Sequence, residues 1–267
     1  MKKRIAKIIT LAISVVLILN MVGCVSQKPQ TQVEPQKSQA PARTIIMGTN
    51  PEFPPFEYVN DKGEVDGFDV AMIKAIAKEM GAELKIESME FKSLIGAMQT
   101  GKIDIIAAGM TVTDERKQSV NFTDSYYTAK QKVLVKVDND KIKDTKALSG
   151  KNVGVQEGTT GDFLVSPEED GRIADNVKVS RYKKGIDAVM DLKTGRLDAV
   201  VIDSNPAAEF VKKNPEVKIL DIEIPEEQYA IAVNKNDATL LSDMNKALKT
   251  LKDNGTYAKL VEEYINK

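Results

Sequence analysis

Two seven-residue segments of this 267-residue chain nearly repeat one another: Thr100-Gly101-Lys102-Ile103-Asp104-Ile105-Ile106 and Thr194-Gly195-Arg196-Leu197-Asp198-Ala199-Val200. Each follows a run with apolar residues at helical spacing and ends in an apolar, β-branched run. A glycine after such a helix closes it, and the apolar strand then enters a sheet buried on both faces. This is the αβ joint of a parallel sheet. Such joints also recur independently in α/β proteins, and either origin gives an α/β fold. The copies lie too far apart for a solenoid, whose repeats span about 20–50 residues, so two similar lobes are expected.

The pattern around the repeats agrees. Residues 44–49 read as a strand, and residues 68–80 as a helix with Val70, Ile73, Ala77 and Met80 on one face, stopped by Gly81. A strand over 83–88, a helix over 91–100 and a strand over 103–107 follow. A second series starts with a strand over 151–155, and Gly158-Thr159-Thr160-Gly161 leads from it into a helix. Further strands fall near Val177 and over 197–202. Towards the end, 228–233 reads as one strand and 238–251 as a helix, and Asn254-Gly255 separates it from a last helix over 257–265.

Composition closes much of the functional menu. Lys plus Arg total 38 against 39 Asp plus Glu, so no global positive field exists to gather nucleic acid, and no nucleic-acid partner is expected. The chain has no His and one Cys, which removes Ser-His and Cys-His catalysis, His-ligated metals and any intrachain disulfide. Neither a cofactor nor a metal is expected.

The N-terminus sets the compartment. Lys2, Lys3, Arg4 and Lys7 precede an uncharged apolar run over 8–19, then Asn20-Met21-Val22-Gly23-Cys24. The run falls short of the ~20 residues a membrane-spanning helix needs, so residues 1–23 read as a signal peptide. Cys24, after a small glycine, resembles the lipobox cysteine of bacterial lipoproteins, with Met21 where leucine is commonest. That likeness implies acylation at Cys24, which would hold the protein durably because two or three acyl chains bind where one does not. Residues 24–43, rich in Gln, Pro, Ser and Lys, read as a disordered linker.

Four stretches carry a family resemblance: TNPEFPPFEY (49–58), GEVDGFD (63–69), AAGMTVTDERKQSVNFTDSYY (107–127), and GVQEGTTGD with VVIDSNP (154–162 and 200–206). They resemble the polar amino-acid branch of periplasmic solute-binding proteins, which includes glutamine- and histidine-binding proteins. The third stretch is the most specific, with a strand end, a Thr-rich loop and Asp114-Glu115-Arg116 in that order. The resemblance implies a type II periplasmic-binding-protein fold: two lobes, each a mostly parallel sheet flanked by helices, joined by two crossing strands. It divides the mature chain into lobe 1 over 44–130, lobe 2 over 131–224, and a return to lobe 1 over 225–267.

The ligand-contact set that the resemblance implies is Asn50, Phe53, Phe91, Ala108, Gly109, Thr111, Arg116, Gln156, Thr159, Thr160 and Asp203. The chemistry suits a zwitterion. The fork of Arg116 matches the two oxygens of an α-carboxylate, and its alternative role is a surface ion pair with Asp114 or Glu115. Thr111 is expected to add amide and hydroxyl, and the Gly109 carbonyl to accept from the α-ammonium. Thr159 and Thr160 sit at a predicted helix start, where free amides favour a carboxylate. Asp203, at a strand end, pairs with the α-ammonium or caps the next helix. Phe53 and Phe91 flank the ligand's stem or belong to the core. Asn50 stands where several relatives carry Asp, and Gln156 where the glutamine binder has Lys. These departures leave the ligand open, polar or basic, with Glu52 and Glu157 as candidate acids for a basic one.

The function implied is capture of a free polar amino acid outside the cytoplasmic membrane by closure of two lobes, and delivery to an ABC-transporter permease. The protein is expected to be a monomer and no enzyme, lipid-anchored on the outer face of a cell lacking an outer membrane. Two alternatives stay open: a cyclohexadienyl or arogenate dehydratase on the same fold, with Glu157 or Asp203 moving protons, and an adaptor that presents ligand to a separate receptor.

Overall fold

The structure, a computed structural model, describes residues 43–266. The expected signal peptide and the expected acylation site Cys24 lie outside them, as does the expected linker up to residue 42. Arg43, assigned to that linker, is instead tied to the fold: its carbonyl accepts from Glu83 N at 2.8 Å and its guanidinium pairs with Asp237 at 2.7 Å.

Two sheets share one strand order. In the first, the strands run Glu83–Ser88, Thr44–Thr49, Ile105–Ile106, Ala232–Asn234, Val120–Phe122. The first three are parallel, and Ala232–Asn234 runs antiparallel to both of its neighbours. In the second the order is Lys178–Tyr182, Asn152–Gln156, Ala199–Asp203, Tyr127–Lys136, Val217–Ile219, again with three parallel strands and one antiparallel strand between two others. Each antiparallel strand therefore belongs to a crossing segment. Tyr127–Lys136 pairs along its first residues with Glu226–Tyr229, and these two strands carry the chain between the sheets.

The sequence repeat builds one joint twice. Gly101 and Gly195 take φ +74° and +79°, closing the helices Leu94–Gln99 and Gly185–Lys193. Asp104 Oδ2 then accepts from Ile46 N at 2.8 Å, and Asp198 Oδ2 from Asn152 N at 2.8 Å, so each aspartate fastens its strand to the start of the neighbouring one. Ile103 and Leu197 lie over Gly48 and Gly154, where a Cβ would come within 2.3 and 2.5 Å of their methyl groups. Helix, sheet and glycine are thus matched as a unit in both lobes.

Three local expectations change. The strand expected over 103–107 shortens to Ile105–Ile106, and Asp104 is joined to Ile46 through both its amide and its carboxylate. The helix over 91–100 opens as a 3-10 turn, Phe91–Ser93. The single strand over 228–233 is two, Glu226–Tyr229 and Ala232–Asn234, because the chain leaves one sheet and joins the other between them. A further small sheet was not foreseen: Glu52–Phe53, Glu57–Val59 and Val65–Asp66 form an antiparallel meander.

The cores follow the sheets. Ile45, Met47, Ile73, Ile76 and Ile105 are buried in the first lobe with Leu240, Met244 and Leu248 of the helix Ala238–Asp253, which packs on the helix Phe68–Glu79. Val133, Val135, Val153, Val155 and Val201 are buried in the second. Phe56 and Tyr229, both fully buried with ring centroids 5.2 Å apart, pack where the lobes meet the crossing strands.

Candidate functional site

The carboxyl ends of the parallel strands face one another across a cleft, the place where α/β sheets present ligand-binding groups. Asn50 follows Thr44–Thr49, Ala108 to Thr111 follow Ile105–Ile106, and Gln156 and Asp203 are the last residues of their strands. All the expected contact residues line this cleft: Asn50, Phe53, Phe91, Ala108, Gly109, Thr111, Arg116, Gln156, Thr159, Thr160 and Asp203. Glu57 lines it with them and was missed. The cleft is nearly shut, with a cavity of about 10 Å³.

Arg116 is inward and not a surface ion pair, since Asp114 bonds Lys117 instead. It is 5% exposed, on the short helix Asp114–Ser119 capped by the Thr113 hydroxyl. Its Nη1 donates to the Thr111 carbonyl at 2.8 Å and its Nη2 to the Gly158 carbonyl, in the other lobe, at 3.0 Å. The guanidinium lies 5.4 Å from the Phe91 ring centre and 5.9 Å from that of Phe163, within cation–π range. Burial lowers its pKa to about 10, which leaves it charged at neutral pH.

The Thr111 hydroxyl differs from expectation. The Thr111 hydroxyl gives its proton to Glu227 Oε2 at 2.8 Å, and that of Thr160 to the same oxygen at 2.7 Å. The Thr159 hydroxyl donates to the Gln156 carbonyl at 2.8 Å. A hydroxyl has one proton to give, so these side chains have no donor left for a carboxylate. The amide of Thr111 is better placed. Val112 N bonds Gln228 O and Ala230 N bonds Met110 O, so Thr111 is a non-hydrogen-bonded partner of Tyr229 and its own N–H turns away from that strand. The helix after Thr159 is only Thr160–Phe163, too short to bring a substantial dipole.

Gly109 has φ +53°, a conformation that favours glycine, and a Cβ there would stand 2.9 Å from the Phe53 ring. Phe53 and Phe91 are both buried, so each is at once cleft wall and core. Asn50 and Gln156 bind each other across the cleft, Gln156 Nε2 to Asn50 Oδ1 at 2.9 Å, while Gln156 Oε1 has no donor among the described residues.

Asp203 holds the N-cap position of the helix Ser204–Lys213 but makes no side-chain cap bond. Its carboxylate accepts from the Tyr229 hydroxyl, and burial pushes its pKa up to about 7. Glu57 is fully buried, and neither of its oxygens has a donor among the described residues. Burial, then the neighbouring Asp69 carboxylate, raises its pKa well above the usual range.

Glu52 and Glu157 do not line the cleft. They bind Lys184 at 2.6 Å and Lys92 at 2.5 Å, and Lys183 binds Glu90 at 2.6 Å, so three ion pairs clasp the two lobes at the rim. Their side chains are 31% to 70% exposed, so solvent screens them.

Two like lobes, a shared cleft at their strand ends, and one buried arginine set among carboxylates define a two-lobed solute-binding protein of the type II fold. The chain belongs to the bacterial extracellular solute-binding proteins, family 3, whose model matches residues 45–267, and this makes it an extracytoplasmic protein that binds amino acids. It is 37% identical over 234 residues to the arginine-binding extracellular protein ArtP of Bacillus subtilis (strain 168), covering 85% of this chain and 88% of that one. It is 36% identical over 231 residues to a probable histidine-binding protein of Neisseria gonorrhoeae, covering 85% of each. Among solved structures, an ancestral arginine-binding protein bound to arginine superposes with a TM-score of 0.78 at 42% identity, covering 83% of this chain and 98% of that one.

Proposed function

We propose that this protein binds a basic L-amino acid, arginine above all, by closing its lobes around it, and delivers it to a membrane permease. The carrying observation is a set of buried acceptors without donors in the cleft lining. Glu57 Oε1 and Oε2 and Gln156 Oε1 are buried there without donors among the described residues. Buried acceptors without donors are costly, and a side chain made only of donors satisfies them. A guanidinium has five N–H donors in a planar fork and no acceptor; the lysine ammonium has three on one point charge.

The rest of the cleft suits the zwitterion. Arg116 and the Thr111 amide take the α-carboxylate, Asp203 and the Gly109 carbonyl take the α-ammonium, and Phe53 and Phe91 flank the aliphatic stem. Ligand then stabilises the closed form through contacts from both lobes that the open form lacks. A permease reads that closure. Acylation at Cys24 would keep the protein beside its partner, and as a monomer it would meet the permease singly. Relatives named for arginine binding support the choice of ligand.

One observation favours a second reading. Asp203, a buried acid titrating near 7, is suited to proton transfer, as in a dehydratase. Turnover of prephenate or arogenate decides for the enzyme, and its absence alongside tight arginine binding decides for the carrier. The side-chain subsite is tested by Glu57→Gln. Removing one partner of a buried charge pair costs about 2–5 kcal/mol, so arginine should weaken at least about thirtyfold while citrulline, its uncharged isostere, changes little. Equal losses for both ligands would show that Glu57 does not read the side-chain charge.

A further inference from the structure

Behind Glu57 lies a second fully buried carboxylate that no part of the binding scheme uses. Asp69, on the helix Phe68–Glu79, is 0% exposed, as is Glu57. One of its oxygens is well served: Oδ2 accepts from Gly109 N at 2.9 Å and from the Tyr126 hydroxyl at 2.6 Å. Its Oδ1, like both oxygens of Glu57, has no donor among the described residues. Asp69 N donates to the Phe56 carbonyl at 2.9 Å, which sets the aspartate beside Glu57, and each carboxyl perturbs the other. Two adjacent anions repel strongly in so buried a site, and the donors on Asp69 Oδ2 serve only one of the two carboxyls.

We propose that Glu57 and Asp69 share one proton in the ligand-free protein, and that a cationic side chain arriving at Glu57 expels it, so that cation binding is coupled to proton release. The inference rests on the assignment of Glu57 to the ligand's side chain. The proton sits on Glu57 and is donated to Asp69 Oδ1, since Asp69 is the carboxyl already supplied with two donors. Docking of a guanidinium puts its positive charge on Glu57; the Glu57 O–H bond breaks, the proton leaves to solvent, and both carboxylates remain anionic beside one cation. A neutral side chain brings no charge and leaves the proton in place. Asp69 is thereby a positioning residue: it sets the charge state in which Glu57 waits.

The groups facing this pair bear out its need for a proton. From the strand ends come Asp203, whose charge adds to the repulsion on Glu57, and Tyr229, which donates to Asp203. Tyr126 faces Asp69 directly, and Tyr257 of the helix Thr256–Tyr264 lies within its field. Arg116 lines the same cleft but spends two donors on Thr111 and Gly158. Burial raises both carboxyls, Asp69 to about 6 and Glu57 well above its usual range, the direction a shared proton requires.

Calorimetric titration of the purified protein at about pH 7, in buffers of different ionisation enthalpy, counts the protons released. Arginine should release about one more proton than citrulline, because any proton that Asp203 loses to solvent on meeting the α-ammonium is common to both ligands. The excess should vanish in Asp69→Asn, whose amide donates to Glu57 in place of the shared proton. Equal release by arginine and citrulline, or the same release by arginine from wild type and Asp69→Asn, would overturn the proposal. Either comparison suffices if the variant fails to fold or citrulline binds too weakly to titrate. Failure of arginine to bind at all would instead remove the assignment of Glu57 on which the proposal rests.

Discussion

Phe53 and Glu57 are directly opposed across a two-strand hairpin turned by Pro54 and Pro55, so an aromatic wall and a buried carboxylate enter the cleft from the same face. Opposed residues of an antiparallel pair point the same way. The hairpin fits closely against Gly109, whose φ of +53° and missing Cβ leave room for the Phe53 ring.

Gly109→Ala should therefore be costly twice. The left-handed backbone strains the alanine, and its methyl group presses on Phe53 at 2.9 Å. A loss of about 1–3 kcal/mol is expected, measured by denaturant unfolding, together with weaker arginine binding as the ring moves into the cleft. Unchanged stability would show that the segment relaxes without strain.

Arg116→Lys keeps the charge and loses the fork. The guanidinium bonds Thr111 and Gly158 and must also meet a carboxylate, which a single ammonium cannot do. Affinity for arginine should fall by about 3 kcal/mol, more than a hundredfold in Kd, with the circular dichroism spectrum unchanged. Retained affinity would remove Arg116 from the carboxylate site.

Stability of the ligand-free protein should fall as pH rises from about 4 to about 7. Asp203 and Asp69 have folded-state pKa values raised from 3.8 to about 7 and about 6, and Glu57 is raised as well. A raised carboxyl binds its proton more tightly when folded. Its stabilisation is complete below the unfolded pKa and is lost as pH passes up through the folded one. Asp66, Asp191, Glu216 and Asp237 are lowered and act oppositely, but mainly below about pH 4. Thermal unfolding of the ligand-free protein should thus peak on the acid side of neutrality, and arginine should flatten the decline. A melting temperature rising steadily to pH 7 would contradict the buried pairings.

The lobes and most of the cleft were legible in the sequence because their signals are local. Thr100 to Ile106 and Thr194 to Val200 carry helix end, glycine and strand together, and the structure realises both in the same way, down to the aspartate that fastens each strand. Arg116 and Asp203 stand in motifs whose order alone indicates a strand end. Glu57 was hidden for the opposite reason. Its role depends on pairing with Phe53 across a Pro-Pro turn, and a strand of three residues shows almost no alternation. Glu52 and Glu157 drew attention through position, yet rim lysines from the facing lobe, distant in sequence, neutralise both. Glu227 takes the protons of Thr111 and Thr160 from a crossing strand more than sixty residues away from either. No local pattern announces such a contact.

The central claim is that the cleft holds a cationic amino acid, and calorimetric titration of the protein with each of the twenty common amino acids tests it most directly. Arginine should bind with micromolar or tighter affinity, and uncharged amino acids more weakly. Binding of none of them, or an aliphatic amino acid bound more tightly than arginine, would contradict it.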